Sequence, residues 1–291
     1  MITGSIVALV TPMTTEGDID WDALARLVEY HVSSGTAALG VVGTTGESAT
    51  LTVPEHCDVI RFAVEQAAGR IPVVAGTGAN STHEAVELTV TAAEVGADYS
   101  LLVTPYYNKP PQEGLYRHFC QVASSVNLPI ILYNVPGRTG VDLSNDTVLR
   151  LSEVSNIVAI KDATGDVARG AELISRLPET FSVFSGDDET ALELMRAGAK
   201  GNVSVTANIA APIVAEVCRL ALAGDFDAAV TENDKIAGLN SALFLEANPI
   251  PVKWAMAEAN MIDRGIRLPL TELDSSCYER VRAAMTRAGL L

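Results

Sequence analysis

The most constraining feature of this sequence is a regular alternation of short apolar runs with longer amphipathic stretches. Eight apolar or β-branched runs alternate with segments whose apolar residues recur at helical spacing. Successive runs begin roughly 20 to 30 residues apart, which is the length of one strand–helix unit. The runs predicted to be strands are 6–11, 37–42, 72–75, 99–104, 129–134, 157–161, 181–185 and 201–205.

Eight strand–helix units close naturally into a barrel, so we predict an α/β fold of the (β/α)8 TIM-barrel type over residues 1–224. Residues 225–291 are predicted to form a helical C-terminal extension, suited to oligomer contacts or to covering one barrel face. The helices predicted between strands are 21–33, 54–68, 82–95, 113–124, 145–152, 167–177 and 189–197. Those predicted after the last strand are 209–223, 226–246, 251–259 and 275–288.

Local signals mark several helix ends. Ser81 with Glu84 has the pattern of a capping box, and Pro54 stands in a first helical turn after Thr52. Four glycines fall just before predicted strands, where the residue after a helix adopts positive φ. They are Gly35, Gly69, Gly96 and Gly198.

Composition excludes several classes of function. The net charge of −16 argues against nucleic acid as a partner, because phosphate binding needs a basic face. No run approaches the ~18 apolar residues of a membrane span, and the N-terminus resembles a first strand more than a signal peptide, so we expect a cytoplasmic protein with no membrane contact. The four cysteines and four histidines are scattered, which argues against a disulfide framework and a metal site.

Lys161 is the only one of five lysines that ends an apolar strand. Lys235 and Lys253 fall in amphipathic stretches, from which a charge can reach water. Partial desolvation favours the uncharged amine, the nucleophile required for imine formation with a ketone. The alternative is a structural ion pair with Asp162, although adjacent strand residues point to opposite faces.

The loops after the strands carry further candidates, because catalytic groups of such barrels lie at the C-terminal ends of strands. Gly43-Thr44-Thr45-Gly46 offers amides and hydroxyls that can converge on a carboxylate. Tyr133 could shuttle a proton to an imine, or could be a buried tyrosine with a satisfied hydroxyl. Arg138 suits a second carboxylate, with an ordinary exposed arginine as the alternative.

Two pairs of adjacent residues limit the interpretation further. Tyr106 and Tyr107 are consecutive, so we expect one ring to enter a site and the other to line a subunit interface. Asp187 and Asp188 follow the seventh strand, where phosphate-binding barrels hold their phosphate. Two carboxylates there would repel a phosphate, so a phosphosugar substrate is disfavoured.

Taken in order, these motifs resemble those of the 4-hydroxy-tetrahydrodipicolinate synthases, also called dihydrodipicolinate synthases. The similarity runs essentially end to end and includes the opening Thr-Gly-Ser-Ile-Val-Ala-Leu-Val-Thr-Pro and the segment from Asn248 to Trp254. It implies a lyase that condenses pyruvate with L-aspartate 4-semialdehyde through a lysine Schiff base, without cofactor or metal. That reaction is the first committed step of the diaminopimelate route to lysine.

The resemblance also implies roles for individual residues. Lys161 would form the imine with pyruvate, and Tyr133 would transfer protons, linked through Thr44 to a Tyr107 from a neighbouring subunit. Thr45 and its loop would bind the pyruvate carboxylate, the Val203 backbone would lie near the imine, and Arg138 would bind the semialdehyde carboxylate. Asp162 stands where many members have glutamate, a conservative change.

Regulation and assembly are implied in the same way. A lysine effector pocket would contain Ser48, Ala49, His56, Asn80, Glu84 and Tyr106. Val53 stands where some lysine-inhibited members have histidine, which leaves the strength of inhibition open. The family pattern implies a homotetramer.

Two alternatives stay open at this point. One is a related Schiff-base aldolase, such as an N-acetylneuraminate lyase or a 2-keto-3-deoxy-sugar-acid aldolase. These share the lysine and tyrosine but are not expected to keep Arg138, because their aldehyde is a polyol. The other is a non-catalytic barrel that senses keto acids or lysine.

Overall fold

The sheet is a closed barrel of eight parallel strands joined in chain order, seen in a computed structural model that describes residues 1–291. The predicted (β/α)8 TIM barrel is therefore confirmed. Seven of the eight strands form where apolar runs predicted them, and the first overlaps its predicted run but begins and ends earlier. The eight strands are β1 Gly4–Ala8, β2 Ala38–Val41, β3 Val73–Gly76, β4 Tyr99–Val103, β5 Ile130–Asn134, β6 Ile157–Asp162, β7 Ser182–Ser185 and β8 Gly201–Ser204.

Helices cover the outside of the barrel and continue beyond it. Those up to the end of the barrel are α1 Trp21–Ser33, α2 Val53–Ala67, α3 Thr82–Glu94, α4 Gln112–Ser125, α5 Pro136–Thr139, α6 Asn145–Leu151, α7 Val167–Arg176, α8 Ala191–Arg196 and α9 Ala207–Leu222. Those of the extension are α10 Phe226–Asn233, α11 Ala237–Ala242, α12 Ile250–Glu258 and α13 Tyr278–Arg287. None of these helices combines the length and the apolar character that a membrane-spanning segment requires.

Side chains along each strand point alternately into the barrel interior and toward the outer helices. Ile131 and Ala159 belong to a cluster of 12 buried apolar residues drawn largely from alternate strand positions, whereas Ile130 and Ile160 pack in a separate cluster with the outer helices. Because side chains alternate across a strand, Lys161 shares the inward face of Ala159. The fold therefore directs this amine into the barrel.

The first strand is displaced from its predicted position. It was expected at 6–11, but β1 ends at Ala8. The reason is Asn208 of α9, which donates through Nδ2 to the Ala8 carbonyl at 2.8 Å and accepts from the Val10 amide at 3.0 Å. The Asn208 side chain thus makes the backbone hydrogen bonds that a neighbouring strand would otherwise make. The strand therefore ends at Ala8, and the loop begins there.

The predicted helix ends are mostly confirmed, with one cap assigned to the wrong place. The four glycines expected after helices all have positive φ. Ser81 accepts from the Glu84 amide at 3.4 Å, but no return bond from the Glu84 side chain forms, so the capping box predicted there is wrong. The reciprocal box lies at Thr52 and Glu55, ahead of Pro54-containing α2.

The extension differs from prediction in one helix. A single helix was expected over 226–246, whereas the chain forms α10 and α11 with a break before Ala237. Ile236, in the break, is 2% exposed and packs in the core, and its φ of −115° departs from helical geometry. Burial of this side chain overrides the local helical preference.

The extension shares one hydrophobic core with the first strands of the barrel. Leu9, Val42 and Leu24 belong to the same cluster of 38 buried residues as Trp254 and Met285. Residues 225–291 therefore pack against the segments that carry the loops after β1 and β2. The division at residue 224 stays a prediction about chain organisation.

Candidate active site

Lys161 and Tyr133 lie side by side at the C-terminal ends of β6 and β5. They are paired in register, and Lys161 Nζ is 4.2 Å from the centroid of the Tyr133 ring. Both side chains are buried, at 6% exposure each. The ring face lies within the distance at which an aromatic attracts an amine. Sequence reasoning predicted this proximity, and the register produces it.

The ion pair considered as an alternative for Lys161 does not form. No carboxylate lies within 4.0 Å of its amine, and Asp162 points to the opposite face of β6, as strand geometry requires. Asp162 Oδ1 instead accepts from the Thr164 amide at 2.9 Å, and burial raises the pKa of this carboxyl. Lys161 is thus a buried amine without a counter-charge, which is uncommon unless the amine has a chemical task.

Gly186 makes room for the lysine and was not assigned a role from the sequence. A Cβ at this position would lie 2.7 Å from Lys161 Cε and 2.8 Å from Ala163 Cβ, so a side chain here would force one of these neighbours to shift. A glycine directly after a strand that neighbours the lysine strand was the available signal. Its absent side chain defines the space in which the amine sits.

The loop after β2 presents two threonines of different character. Thr45 is 3% exposed, and its Oγ1 accepts from Asn248 Nδ2 at 2.9 Å. Thr44 is half-buried, and its hydroxyl has no hydrogen-bond partner in the chain. Val42 enters this loop with φ of +48°, a costly conformation for a β-branched residue. Strained backbone of this kind clusters at functional sites.

Asn248 joins the two predicted anion-binding residues and was missed as a site residue. Besides its bond to Thr45, its backbone carbonyl accepts from Arg138 Nη2 at 3.3 Å. The segment containing it was recognised in the sequence, but nothing in its local pattern indicated that it reaches the barrel mouth. The extension therefore contributes directly to the site.

Arg138 lies on the exposed turn α5, after β5. Its guanidinium makes no salt bridge with any carboxylate of the chain. Most arginines on this acidic surface are paired with carboxylates, so an arginine held only by a carbonyl keeps its donors available for an anion. The geometry is consistent with the predicted role, which stays a prediction.

Tyr107 points away from its own barrel. Its side chain is 89% exposed and its φ is +73°, whereas Tyr106 is 39% exposed. No hydrogen bond links Tyr107 or Thr44 to the Tyr133 hydroxyl within the chain. The predicted relay from Tyr133 through Thr44 to Tyr107 is therefore incomplete in a single chain and stays a prediction.

The end of β8 is organised by Asp188. Val203 is 4% exposed and faces the barrel interior with Phe184. Asp188 Oδ2 accepts from the Val205 and Thr206 amides at 2.9 and 3.0 Å. Amides after the eighth strand are those on which a phosphate rests in phosphate-binding barrels. Here they are already occupied by a carboxylate of the chain, which adds to the repulsion argument against a phosphosugar.

Contacts are seen among some of the predicted effector residues but not among all of them. Asn80 donates through Nδ2 to the Tyr106 carbonyl at 3.2 Å. Burial, and then the charge of nearby Glu84, raise the pKa of Tyr106. His56 contacts the Gly76 carbonyl through Nε2 at 2.8 Å, and burial lowers its pKa. The other predicted members, Ser48 and Ala49, lie on the single helical turn Ser48–Thr50, and Val53 is 54% exposed.

Lys253 was expected to reach water, and this prediction is wrong. It is 2% exposed and forms a buried ion pair with Glu47, the last residue of the Gly43–Glu47 loop. A charge is tolerated in such a position only with a charged partner. The partner lies far away in the sequence, so helical periodicity alone could not disclose the pair. Across the whole chain, no three His, Cys, Asp or Glu side chains are grouped to hold a metal ion.

Comparison with known proteins agrees with this geometry. The model of the dihydrodipicolinate synthetase family matches residues 1–288. A 4-hydroxy-tetrahydrodipicolinate synthase of Stutzerimonas stutzeri is 59% identical over 291 residues, all of both chains. The chloride-inhibited dihydrodipicolinate synthase of Acinetobacter baumannii, solved with pyruvate, is 59% identical, with a TM-score of 0.99 and all of both chains covered.

Another similar structure, with lower sequence identity, contains a different bound molecule. The dihydrodipicolinate synthase of Cyanidioschyzon merolae, solved with lysine bound, is 38% identical, with a TM-score of 0.96 over 100% of this chain and 99% of that one. Family match, identity and fold agree along the full length. The chain therefore belongs to the dihydrodipicolinate synthetase family.

Proposed function

We propose that this protein is a lyase that condenses pyruvate with L-aspartate 4-semialdehyde to give 4-hydroxy-tetrahydrodipicolinate. The observation that carries the proposal is the buried amine of Lys161, unpaired and 4.2 Å from the Tyr133 ring. Relatives up to 59% identical bear the name of this synthase. The product precedes diaminopimelate and lysine, which places the reaction in amino-acid biosynthesis.

The first step forms an imine. The uncharged Lys161 amine attacks C2 of pyruvate, and the carbinolamine loses its hydroxyl as water, so a C=N bond replaces the ketone C=O. Tyr133 is placed to supply and remove the protons that this exchange requires. Burial of the amine keeps bulk water from competing for the imine.

Carbon–carbon bond formation follows. Loss of a C3 proton converts the imine to an enamine, whose C3 attacks the aldehyde carbon of the semialdehyde. The new alkoxide takes a proton, which Tyr133 delivers with Thr44 and a neighbouring subunit's Tyr107 as its relay. The half-buried Thr44 hydroxyl and the exposed Tyr107 ring are both free to take part.

Two anion sites orient the substrates. Thr45 and its loop bind the pyruvate carboxylate near the Val203 backbone, and Arg138 binds the semialdehyde carboxylate through its unpaired guanidinium. The amino group of the semialdehyde then attacks the imine carbon, closes the ring and expels the Lys161 amine. One water leaves overall, so neither a cofactor nor a metal is needed to balance the reaction.

A related aldolase acting on a polyol aldehyde is the second candidate. The specific observation against it is Arg138, which makes no salt bridge and is steadied by the Asn248 carbonyl at 3.3 Å. A neutral polyol would leave this guanidinium without a charged partner. A substrate that carries a carboxylate away from its aldehyde group would give the guanidinium of Arg138 the charged partner that it lacks.

Lysine inhibition and a homotetramer complete the proposal. The contact of Asn80 with Tyr106, and the proximity of Glu84, form one side of an exposed polar site. A lysine-bound structure exists for a relative 38% identical to this chain. The exposed Tyr107 ring supports a subunit contact at the site entrance.

A coupled assay tests the proposal. Purified protein with pyruvate and L-aspartate 4-semialdehyde should turn over, whereas N-acetylmannosamine in place of the semialdehyde should not. Arg138→Ala should lower kcat/KM for the semialdehyde by roughly 30- to 150-fold, the effect of losing a charged hydrogen bond worth about 2 to 3 kcal/mol. The KM for pyruvate should stay within about twofold.

Arg117→Ala is the matched control, because this arginine is exposed and paired with Glu113 on α4. It should behave like the parent. Turnover with the polyol aldehyde, or an Arg138→Ala variant that loses pyruvate and semialdehyde binding equally, would refute the assignment.

A further inference from the structure

Lys253 is the one buried lysine that the proposed reaction does not use. It lies on α12, and its side chain is 3% exposed against 0% for its ion-pair partner Glu47. Its amine also donates to the Thr11 carbonyl at 3.1 Å. The second oxygen of Glu47 accepts from the Arg267 amide at 3.3 Å, so both carboxylate oxygens have partners. The pair is complete and excluded from water.

Such a pair is weak evidence for stability by itself. Removing two charges from water costs about as much as their attraction returns, and well-packed apolar residues often do as well. A buried pair does, however, fix geometry, because breaking one side leaves an uncompensated charge. The place of this ion pair in the fold is therefore more informative about its role than its contribution to stability.

Glu47 ends the loop that carries Thr44 and Thr45. Its φ is +57°, and its amide donates to the Thr44 carbonyl at 3.1 Å. The Thr11 hydroxyl donates a hydrogen bond through Oγ1 to the Gly46 carbonyl at 2.7 Å. With Val42 at φ of +48° on the other side, the loop has a non-glycine residue in the left-handed region at each end. Left-handed residues of this kind persist only where surrounding contacts hold them.

We propose that Lys253 is a positioning residue that holds the Gly43–Glu47 loop so that Thr44 and Thr45 face Lys161. The C-terminal extension is thereby part of the active site, through Lys253 on Glu47 and Asn248 on Thr45. The effect on catalysis rests on the proposed function, whereas the effect on the loop does not. Loss of Lys253 leaves Glu47 buried without a counter-charge, and the loop relieves this by carrying Glu47 toward water.

The test compares three variants by hydrogen exchange and by kinetics. Lys253→Met removes one charge, and Lys253→Met with Glu47→Gln removes both. Leu151→Ala is the stability control, because Leu151 is fully buried in the other core cluster. Exchange is followed by mass spectrometry on the peptide spanning 43–51, whose Glu47 and Ser48 amides are bonded to Thr44 and Gly43 carbonyls.

Lys253→Met should speed exchange of this peptide at least tenfold and raise KM for pyruvate at least tenfold, more than it lowers kcat. The double variant should recover both to within about threefold of the parent, because no buried charge is left to expel. Leu151→Ala should lower the melting temperature without changing either quantity. These readouts separate positioning from general loss of stability.

Unchanged loop exchange in Lys253→Met, or the same increase in Leu151→Ala, overturns the proposal. Faster exchange with an unchanged KM for pyruvate also overturns it, because the loop would then not position the substrate. Should the parent fail to turn over pyruvate, the proposed function is wrong, and loop exchange alone decides whether Lys253 positions the loop.

Discussion

Two lysines are buried in this protein, and their surroundings differ in one respect that decides their chemistry. Lys253 has the Glu47 carboxylate against its amine, so although burial lowers the pKa of this lysine, the paired carboxylate favours its charged form. Lys161 has no carboxylate within reach and faces the Tyr133 ring at 4.2 Å. A neutral amine is the nucleophile in imine formation. The absence of a counter-charge is therefore what distinguishes the candidate catalytic lysine.

The space around Lys161 gives the first prediction at this scale. Gly186→Ala would place a Cβ 2.7 Å from Lys161 Cε, so the amine must move. We expect a folded protein in which covalent trapping of pyruvate slows at least about tenfold, because misplacement by an ångström is costly to catalysis. The rate is read by intact mass after borohydride quenching.

Gly238→Ala serves as the control for this substitution. Its Cβ would be 3.6 Å from Arg287 Nη2, an ordinary contact that involves no residue of the candidate site. It should trap pyruvate at the parental rate. Equal slowing in both variants, or none in Gly186→Ala, would show that Gly186 does not define the space around the amine.

At the scale of elements, the strands were predictable because their cause is local. A β-branched run such as 157–160 favours a strand wherever it occurs, and alternation then fixes which side chains face inward. The break before Ala237 was not predictable, because it arises from burial of Ile236 in a core formed by distant segments. Propensity indicates a helix there, and tertiary packing overrides it.

The residues of the candidate site were predictable where their position depends on local sequence, and not where it depends on distant contacts. Lys161 and Tyr133 stand at strand ends and Thr45 in the loop that follows a strand, so their positions relative to the strands indicated them. Asn248 matters through contacts made across the fold, for which local sequence carries no signal, whereas Gly186 could be suspected only from its place directly after the strand beside the lysine strand.

The turn after β4 gives a prediction at this scale. Tyr107 has φ of +73° and is 89% exposed, and it makes no hydrogen bond with Tyr133 of its own chain, so we expect its ring to act on a neighbouring subunit. A mixture of Tyr107→Phe and Lys161→Ala chains should regain activity after denaturation and refolding together. If two chains exchange the tyrosine and mix at random, about a quarter of the parental activity should return.

Each variant refolded alone is the control and should be nearly inactive. A mixture no more active than its components would mean that Tyr107 acts within its own chain or not at all.

At the scale of the whole molecule, buried histidines couple stability to pH. Burial lowers the pKa of His31 to about 3 and that of His118 to about 4. The unfolded chain protonates these rings near pH 6.5, so it binds more protons than the folded chain below that pH. Stability is therefore present above about pH 6.5 and is lost as pH falls toward 4 and 3.

We expect each of these two histidines to lower the free energy of unfolding by about 2 kcal/mol between pH 8 and pH 5. Urea unfolding followed by circular dichroism measures the change. His118→Phe should flatten the pH dependence, whereas exposed His83→Gln should leave it unchanged, since the His83 side chain is 83% exposed. Identical slopes in all three proteins would contradict this account.

The net charge of −16 also acts on the whole molecule. A strongly acidic surface repels anionic substrates at long range, so the site needs its own positive groups. The unpaired guanidinium of Arg138 supplies one at the barrel mouth, and the loop around Thr45 adds neutral hydrogen-bond donors. Their position reconciles an acidic protein with two carboxylate substrates.

The most direct test of the central claim is borohydride trapping of the intact protein with pyruvate. Reduction of the imine should add the mass of one reduced pyruvate per chain, and peptide mapping should place it on Lys161. Lys161→Ala should show no adduct, and Lys253→Met should still be modified on Lys161. An intact mass without adduct in the parent protein, or an adduct that persists in Lys161→Ala, would contradict the assignment of Lys161 as the Schiff-base lysine.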